Sequence, residues 1–190
     1  VSVLYGGKTQ SMSVDDYLVG VLAAEMPVSF EKEALKAQAV AARSYLERCI
    51  VGNKHDDCDV CADPSCCQAY ISESKLKKKW EKNFDKYAGI IRTAVSETDG
   101  EYLSYEGEAA LTAFHSSSAG ATESSAAVWN EVPYLVSVSS PETKDDVPNY
   151  VSSIRLKDID FRDTILYLKP EADMTGDADT WVGKIRSSSS

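Results

Sequence analysis

Residues 11–27, "SMSVDDYLVGVLAAEMP", decide the fold. Ser13 is followed three residues later by Asp16, a capping-box-like start, and Pro27 closes the run, so a helix is expected over about 14–25. Val14, Leu18, Val21 and Leu22 recur at three- and four-residue steps and form one apolar stripe. Glu25 is the next member of that stripe. A chain with 30 acidic residues to spread over its surface has set one of them in core register. A carboxyl group on an apolar helix face is desolvated, and desolvation favours the protonated form that a general acid needs. The alternative is a helix-terminal glutamate whose stem packs while its head reaches water.

Outward from this helix, "SFEKEALKAQAVAARSYLERCIV" (29–51) predicts a second one over about 30–51, capped by Ser29, with Leu35, Ala39, Ala42, Leu46, Cys49 and Ile50 at helical spacing. Its alanines make a thin surface that a neighbour or ligand can approach closely. Lys36 and Arg43, seven apart, share one face and could bind an anionic group such as a sugar carboxylate, or serve as solvated helix charges. Residues 52–74 turn to Gly, Asp, Cys, Pro and Ser without a period, and loops of that length are uncommon unless clipped or functional. A third helix is expected over about 75–97, with Trp80, Phe84, Tyr87, Ile91, Ala94 and Val95 on its stripe. "EYLSYEGEAALTAFHSS" (101–117) predicts two short strands about Gly107, running into the small-residue loop "HSSSAGATESS" (115–125). "VPYLVSVSS" (132–140) and "NYVSSIRL" (149–156) have strand character, "KDIDFRDTILYL" (157–168) predicts a late helix, and "WVGKIRSS" (181–188) a last strand. The sum is an α+β fold: a single domain over 1–190, with N-terminal helices packed on a small, mostly antiparallel sheet and a substrate groove across it.

Composition narrows the class. The 190 residues are 43% hydrophobic and 26% charged, ordinary for a globular chain, with a formal net charge of −10. Phosphate binding draws on an excess of Lys and Arg, so nucleic acid is excluded as a general partner. No stretch approaches the roughly 20 apolar residues of a membrane span, and "VSVLYGGKTQ" carries no basic n-region or cleavage site. Either the protein is cytosolic or an anchor lies outside this stretch.

All five cysteines, Cys49, Cys58, Cys61, Cys66 and Cys67, fall within one short span, which suggests a local clip. In "HDDCDVCADPSCC" (55–67), His55, Cys61 and Cys67 are spaced six and six apart, with Cys58 and Cys66 within reach. Thiolate plus imidazole is the ligand chemistry zinc prefers; a Cys61–Cys67 disulfide is the alternative. "AFHSSSAGATE" (113–123) combines His115 with Ser116 to Ser118 but lacks the G-x-S-x-G elbow of a serine nucleophile, leaving a hydroxyl-lined sugar subsite or a hydrogen-bonded loop. Tyr70, Trp129 and Tyr134 could stack on sugar rings or pack in the core.

Four blocks in order, "DDYLVGVLAAEMP", "EALKAQAVAARSYL", "CADPSCCQAY" and "FHSSSAGATESSAAVWNEVPYLVSV", resemble the stage II sporulation protein D family, over roughly residues 12–140, with only a loose likeness from about 141. The resemblance implies a lytic transglycosylase that cleaves MurNAc-GlcNAc bonds of denuded peptidoglycan strands to 1,6-anhydro ends during forespore engulfment. It implies a partner amidase that strips the stem peptides, and a membrane scaffold of the engulfment machinery. It also implies an extracytoplasmic domain held at the cell membrane by an N-terminal helix absent from this stretch. On the matching positions, the catalytic acid falls on Glu25 and its basic partners on Lys36 and Arg43. Gln68, Tyr70, His115, Ser116 and Ser118 fall in the groove, and Cys61 and Cys67 are a family pair, with His55 at a ligand distance in some members. The family often has Ser-x-x-Gly-Gly where this chain has "SSSAG", so Ala119 stands in place of the first glycine. The expected zinc is a structural staple. Relatives described as amidase enhancers suggest an alternative in which the domain binds glycan and stimulates an amidase without cutting, and a zinc hydrolase built on His55 and the cysteines is a third.

Overall fold

The computed structural model describes residues 1–147 and 150–183. The sequence shows no linker, yet the chain groups into two compact units, Val1–Phe114 and His115–Ser190.

The first unit opens with a hairpin that the sequence reading did not anticipate. Strands β1 (Ser2–Tyr5) and β2 (Lys8–Ser11) pair antiparallel across Gly6 and Gly7, whose φ angles of +60° and +76° suit the primed turns that match strand twist. β2 is exposed along its length, so it carries no alternation of apolar and polar residues to betray it. β1 also pairs in parallel with β3 (Val60–Cys61), giving a mixed sheet of order β2-β1-β3 in which the cysteine-rich segment is an edge strand rather than structureless loop.

Helix α1 spans Val14–Glu25, as its stripe predicts. The Ser13 hydroxyl oxygen accepts the Asp16 N–H at 3.1 Å and donates to the Asp16 carboxylate at 2.7 Å, satisfying one of the N–H groups that the first turn leaves open. Helix α2 spans Lys32–Val51 and starts two residues later than expected, from Glu31 rather than from a Ser29 cap. The third helix is two helices: α3 (Glu73–Trp80) and α4 (Phe84–Ser96), separated by a 3-10 turn at Glu81–Asn83, with Glu81 at φ +45°. The break lets Trp80 sit edge-on against Tyr87, ring centres 5.7 Å apart, while the apolar stripe continues through Ile91, Ala94 and Val95. Tyr17, Leu18, Leu22, Leu35, Leu46 and Ile91 are wholly buried where α1, α2 and α4 pack on one another, in one core with Val3 of β1 and Val60 of β3. The unit closes with β4 (Ser104–Tyr105) and β5 (Glu108–Ala109), paired about Gly107 as predicted.

The second unit carries a short helix α5 (Ser125–Val128) and α6 (Asp158–Leu168), the latter at the expected place. The strands expected at 132–140 and 149–156 do not form among the described residues: Ala121 and Ser139 make one isolated antiparallel bridge, and 150–156 is irregular. The physical reason is burial, since Val136, Val138, Val151 and Ile154 are all exposed and an apolar run without a face to cover gains little from pairing. Of the strand expected over 181–188, Trp181–Gly183 is not extended sheet, and 184–188 lies outside the described residues. The α+β class holds. Among the described residues, no helix is long and apolar enough to cross a membrane.

Candidate functional site

α1 stops at Glu25 because Met26 turns extended, at φ −130° and ψ 134°, ahead of Pro27. The apolar stripe leaves the core at this last turn, so Glu25 is half-buried rather than enclosed as its register suggests. Its carboxylate is nonetheless held: Oε1 accepts the backbone N–H of Ala69 at 2.8 Å. The helix core fixes one side of this contact and the cysteine-rich segment supplies the other.

Residues 68–71 are fastened along α1. Gln68 is buried, its Oε1 accepts from the Tyr17 hydroxyl at 3.4 Å, and its Nε2 has no hydrogen-bond partner. Tyr70 stacks on Tyr17 with ring centres 5.8 Å apart and 12° between planes, and meets Tyr5 edge-on at 5.2 Å. It lies so close to Gly20 that a Cβ there would fall 2.3 Å from the tyrosine ring, while the Ile71 N–H donates to the Gly20 carbonyl at 3.2 Å. Gly20 is therefore the residue that lets this segment lie against the helix. Burial pushes the phenols of both Tyr17 and Tyr70 up from their ordinary value. Gln68 and Tyr70, expected in the groove, both pack against α1, with Tyr70 partly exposed and Gln68 Nε2 left without a partner.

The two basic candidates part company. Arg43 is only 3% exposed, and its guanidinium donates to the carbonyls of Thr98 (2.6 Å), Glu101 (3.2 Å) and Val95 (3.2 Å). It closes the C-terminal end of α4 onto α2, where unpaired carbonyls need donors. The expectation that it grips an anionic sugar group is corrected: the planar fork is used inside the protein. Lys36 remains partly exposed in a surface ion cluster, 3.2 Å from Glu33 and 3.7 Å from Glu97, and the bond to Glu33 raises its pKa.

His115, Ser116 and Ser118 belong to the second unit. His115 and Ser116 are exposed, and the Ser118 N–H donates to Glu142 Oε1 at 3.0 Å while its buried hydroxyl has no partner. Glu142 also accepts from the Ser140 hydroxyl, and that bond leads the lowering of its carboxyl pKa, with a smaller contribution from His115. A turn at Gly120, φ +97°, is tied by the Ser140 N–H to the Gly120 carbonyl at 2.9 Å.

The thiols converge. His55 Nε2 lies 3.2 Å from Cys67 Sγ and 3.8 Å from Cys66 Sγ, and the donor atoms of His55, Cys61, Cys66 and Cys67 all lie within 4.8 Å of one another. All five cysteines are unbridged. Cys49, buried on α2, faces the same place, and its interaction with Cys67 drives the Cys67 thiol down and the Cys49 thiol up. Burial, countered by the Asp63 backbone, pushes Cys61 up to about 11. The cluster could hold a metal ion, and it sits on the same short segment, two residues before the Ala69 N–H that binds Glu25.

The sequence profile of the family described as Stage II sporulation protein matches residues 6–105, more than half of the chain. The chain belongs to that sporulation family. It is 38% identical over 148 residues to stage II sporulation protein D of Bacillus amyloliquefaciens and 37% identical over 145 residues to that of Bacillus subtilis, alignments that take in 76% and 74% of the chain. It is also 34% identical over 144 residues, 75% of the chain, to the amidase enhancer of Bacillus subtilis. The aligned part amounts to 43%, 42% and 17% of the lengths of these three relatives. The part matching the family profile contains Glu25, Ala69 and the whole thiol cluster; His115, Ser116 and Ser118 lie beyond it.

Sequence reasoning missed the Ala69 N–H, which as a backbone group has no residue signature, and Glu142, one acid among many. Cys49 was legible only as a core position of α2, since its meeting with Cys67 depends on how the loop folds back.

Proposed function

We propose that this chain is the catalytic part of a peptidoglycan lytic transglycosylase acting on glycan strands stripped of stem peptides, with Glu25 as the single proton-transfer group. The observation that carries the reading is the placement of Glu25: a half-buried carboxylate at a helix end, one oxygen pinned by the Ala69 N–H. That bond orients the group and leaves Oε2 to carry the transferable proton. Glu25 donates it to the oxygen joining N-acetylmuramic acid to N-acetylglucosamine, the C1–O bond breaks, and an oxocarbenium-like muramoyl centre forms. Carboxylate Glu25 then takes the proton from the C6 hydroxyl as that oxygen bonds to C1, closing a 1,6-anhydro ring and restoring the acid. One carboxyl suffices because the nucleophile belongs to the substrate, so the paired-carboxylate spacing of ordinary glycosidases does not apply.

His55 and the thiols have the softness and spacing that suit zinc, for which Zn–S is about 2.3 Å and Zn–N about 2.0–2.1 Å. When bound, zinc would supply a cross-link within the segment that presents Ala69, rather than a nucleophile. The protein's own residues do the rest: Gly20, Tyr17 and Tyr70 seat the segment on α1, and Glu25 moves the proton. Lys36, with its charge at the surface, is the remaining basic candidate for the lactyl carboxylate, and His115, Ser116 and Ser118 are candidates for sugar hydroxyl contacts. The setting we propose is extracytoplasmic, at the cell membrane, alongside a cell-wall amidase.

The named relative with an amidase-enhancing role favours a second reading, in which the domain binds glycan and stimulates an amidase without cutting. Incubating the chain with denuded strands and looking for anhydromuramoyl ends by mass spectrometry separates the two. Their appearance supports the transglycosylase, and their absence with glycan binding intact supports the enhancer.

A further inference from the structure

We propose that the lysine-bearing elbow between α3 and α4 is a docking face for the surface of an anionic phospholipid bilayer. The inference deepens the membrane setting proposed above and does not depend on the chemistry at Glu25.

The chain as a whole is acidic, with a formal net charge of −10, but residues 73–92 carry seven basic side chains against three acidic ones. That stretch is net +4, so the rest of the chain holds −14. Local folding keeps these lysines outside. Leu76 of α3 and Ala88 and Ile91 of α4 turn their apolar side to the core, while Lys75, Lys77, Lys78, Lys79, Lys82 and Lys86 are all exposed.

Pairing within the protein uses only part of this charge. Glu73 takes both Lys77, at 2.6 Å, and Arg92, at 3.0 Å, and the Lys75 ammonium lies over the Tyr5 ring, 5.2 Å from its centre. Among the described residues, Lys78, Lys79, Lys82 and Lys86 make no ion pair, and the acids left beside them are Glu81 and Asp85. Five ammonium groups thus stand against two carboxylates. An ammonium on a flexible stem is a hydrated point charge without the fixed fork that grips one carboxylate or phosphate. Spread along a helix, a turn and a second helix, such charges suit a partner whose negative charge is spread over a plane, and clusters of this size draw proteins to anionic lipid. Trp80, half-exposed at the elbow, adds the aromatic group that settles at the boundary between headgroups and acyl chains. The acidic remainder is repelled by the same surface, which orients the approach.

The chain also enters beside this elbow. The Val1 ammonium donates to the Met12 carbonyl at 2.9 Å, and Met12 lines one cleft with Leu76, Phe84 and Ala88. A segment before Val1 that holds the protein at a membrane would bring this side toward it. The cleft takes in Asp16, Val19 and Gly20 of α1 but not Glu25, the last residue of that helix, so the lysines can be changed without touching the proton-transfer group.

The test is co-sedimentation of the chain with vesicles of phosphatidylglycerol and phosphatidylcholine, against vesicles of phosphatidylcholine alone. The wild type should bind only the anionic vesicles, and added salt should weaken the binding. A lysine near such a surface contributes about fivefold, the ratio that corresponds to about 1 kcal/mol. Combining Lys78→Gln, Lys79→Gln, Lys82→Gln and Lys86→Gln should therefore weaken binding by at least about a hundredfold. A control with the same net charge, Lys144→Gln, Arg155→Gln, Lys157→Gln and Lys169→Gln combined, should lose far less. Circular dichroism checks that each variant keeps its fold, and the yield of anhydromuramoyl ends from soluble denuded strands should be equal in wild type and elbow variant. A wild type that ignores anionic vesicles at low salt would overturn the proposal, as would an elbow variant that binds like wild type or a control that loses as much. Lysine-dependent binding of soluble polyglycerol phosphate without vesicle binding would overturn it in favour of a wall polymer. None of these results bears on Glu25, whose reading stands or falls on the anhydromuramoyl ends.

Discussion

The helical layer and the cysteine-rich segment both contribute to the hydrogen bond between Glu25 and Ala69, and they reach it by opposite means. α1 and α2 are set by apolar burial: Leu18, Leu22, Leu35 and Leu46 are wholly enclosed, and few polar contacts are needed to define where Glu25 emerges. Residues 52–72 bury little. They are held by a two-residue strand, an Asp-Ser turn, the Tyr70 ring against Gly20 and a knot of sulfur and imidazole. The lesson is that the proposed proton-transfer group stands on a helix set by apolar burial, while the backbone donor beside it belongs to a segment with little burial, where the proposed thiol clip would have to supply the order. Packing tolerates pH and chelators; a thiol clip does not.

Five experiments break or sharpen that contrast. Leu22→Ala leaves a cavity beneath α1 and should cost about 2–5 kcal/mol, read as a shift of the whole denaturation curve of the first unit. Gly20→Val drives a side chain into the Tyr70 ring, and overpacking of this kind costs about 1–3 kcal/mol. Here the loss should be concentrated in the loop, seen as new proteolytic cleavage within 52–72 while helix content stays near wild type. A chelator added to the metal-loaded protein should expose the same segment to protease without a change in helical circular dichroism. Lowering the pH should release the metal, because each sulfur ligand regains its proton. Smallest is the effect at Asp59, whose carboxylate accepts the Ser2 N–H at 2.6 Å and hydroxyl at 2.8 Å, bonds that hold its pKa below the ordinary 3.8. A carboxyl lowered by folding stabilises above its unfolded value and loses that contribution as pH falls through the folded one. Acidification below about pH 4 should therefore loosen the β1–β3 end, and Asp59→Asn should remove that dependence, as hydrogen exchange at Asp59 and Ala62 would show.

The same contrast explains what could be foreseen. α1 was legible to the residue because a cap, a stripe and a proline all agree, and the core face of α2 followed from its spacing. The break between α3 and α4 was not, since the stripe runs through Trp80 and Phe84 unbroken and only the backbone at Glu81 departs from helix. Glu25 was found by register, and the thiol cluster by composition, but the register argument overstated burial by treating the last turn as if the core continued beside it. Arg43 was misjudged for a related reason: a basic residue on an alanine-rich face looks available, and only the tertiary fold shows the carbonyls at the end of α4 that consume it. In the second unit, apolar runs such as 132–140 suggested strands that burial does not reward.

The claim on which the account stands is that Glu25 carries the proton. Glu25→Gln keeps the shape of the side chain and, through its amide oxygen, the bond from Ala69, while removing the exchangeable acid. On denuded glycan strands, with strand binding measured in parallel, the account predicts unchanged binding and a loss of anhydromuramoyl ends of at least about a hundredfold. Ends formed by the variant at the wild-type rate would contradict it.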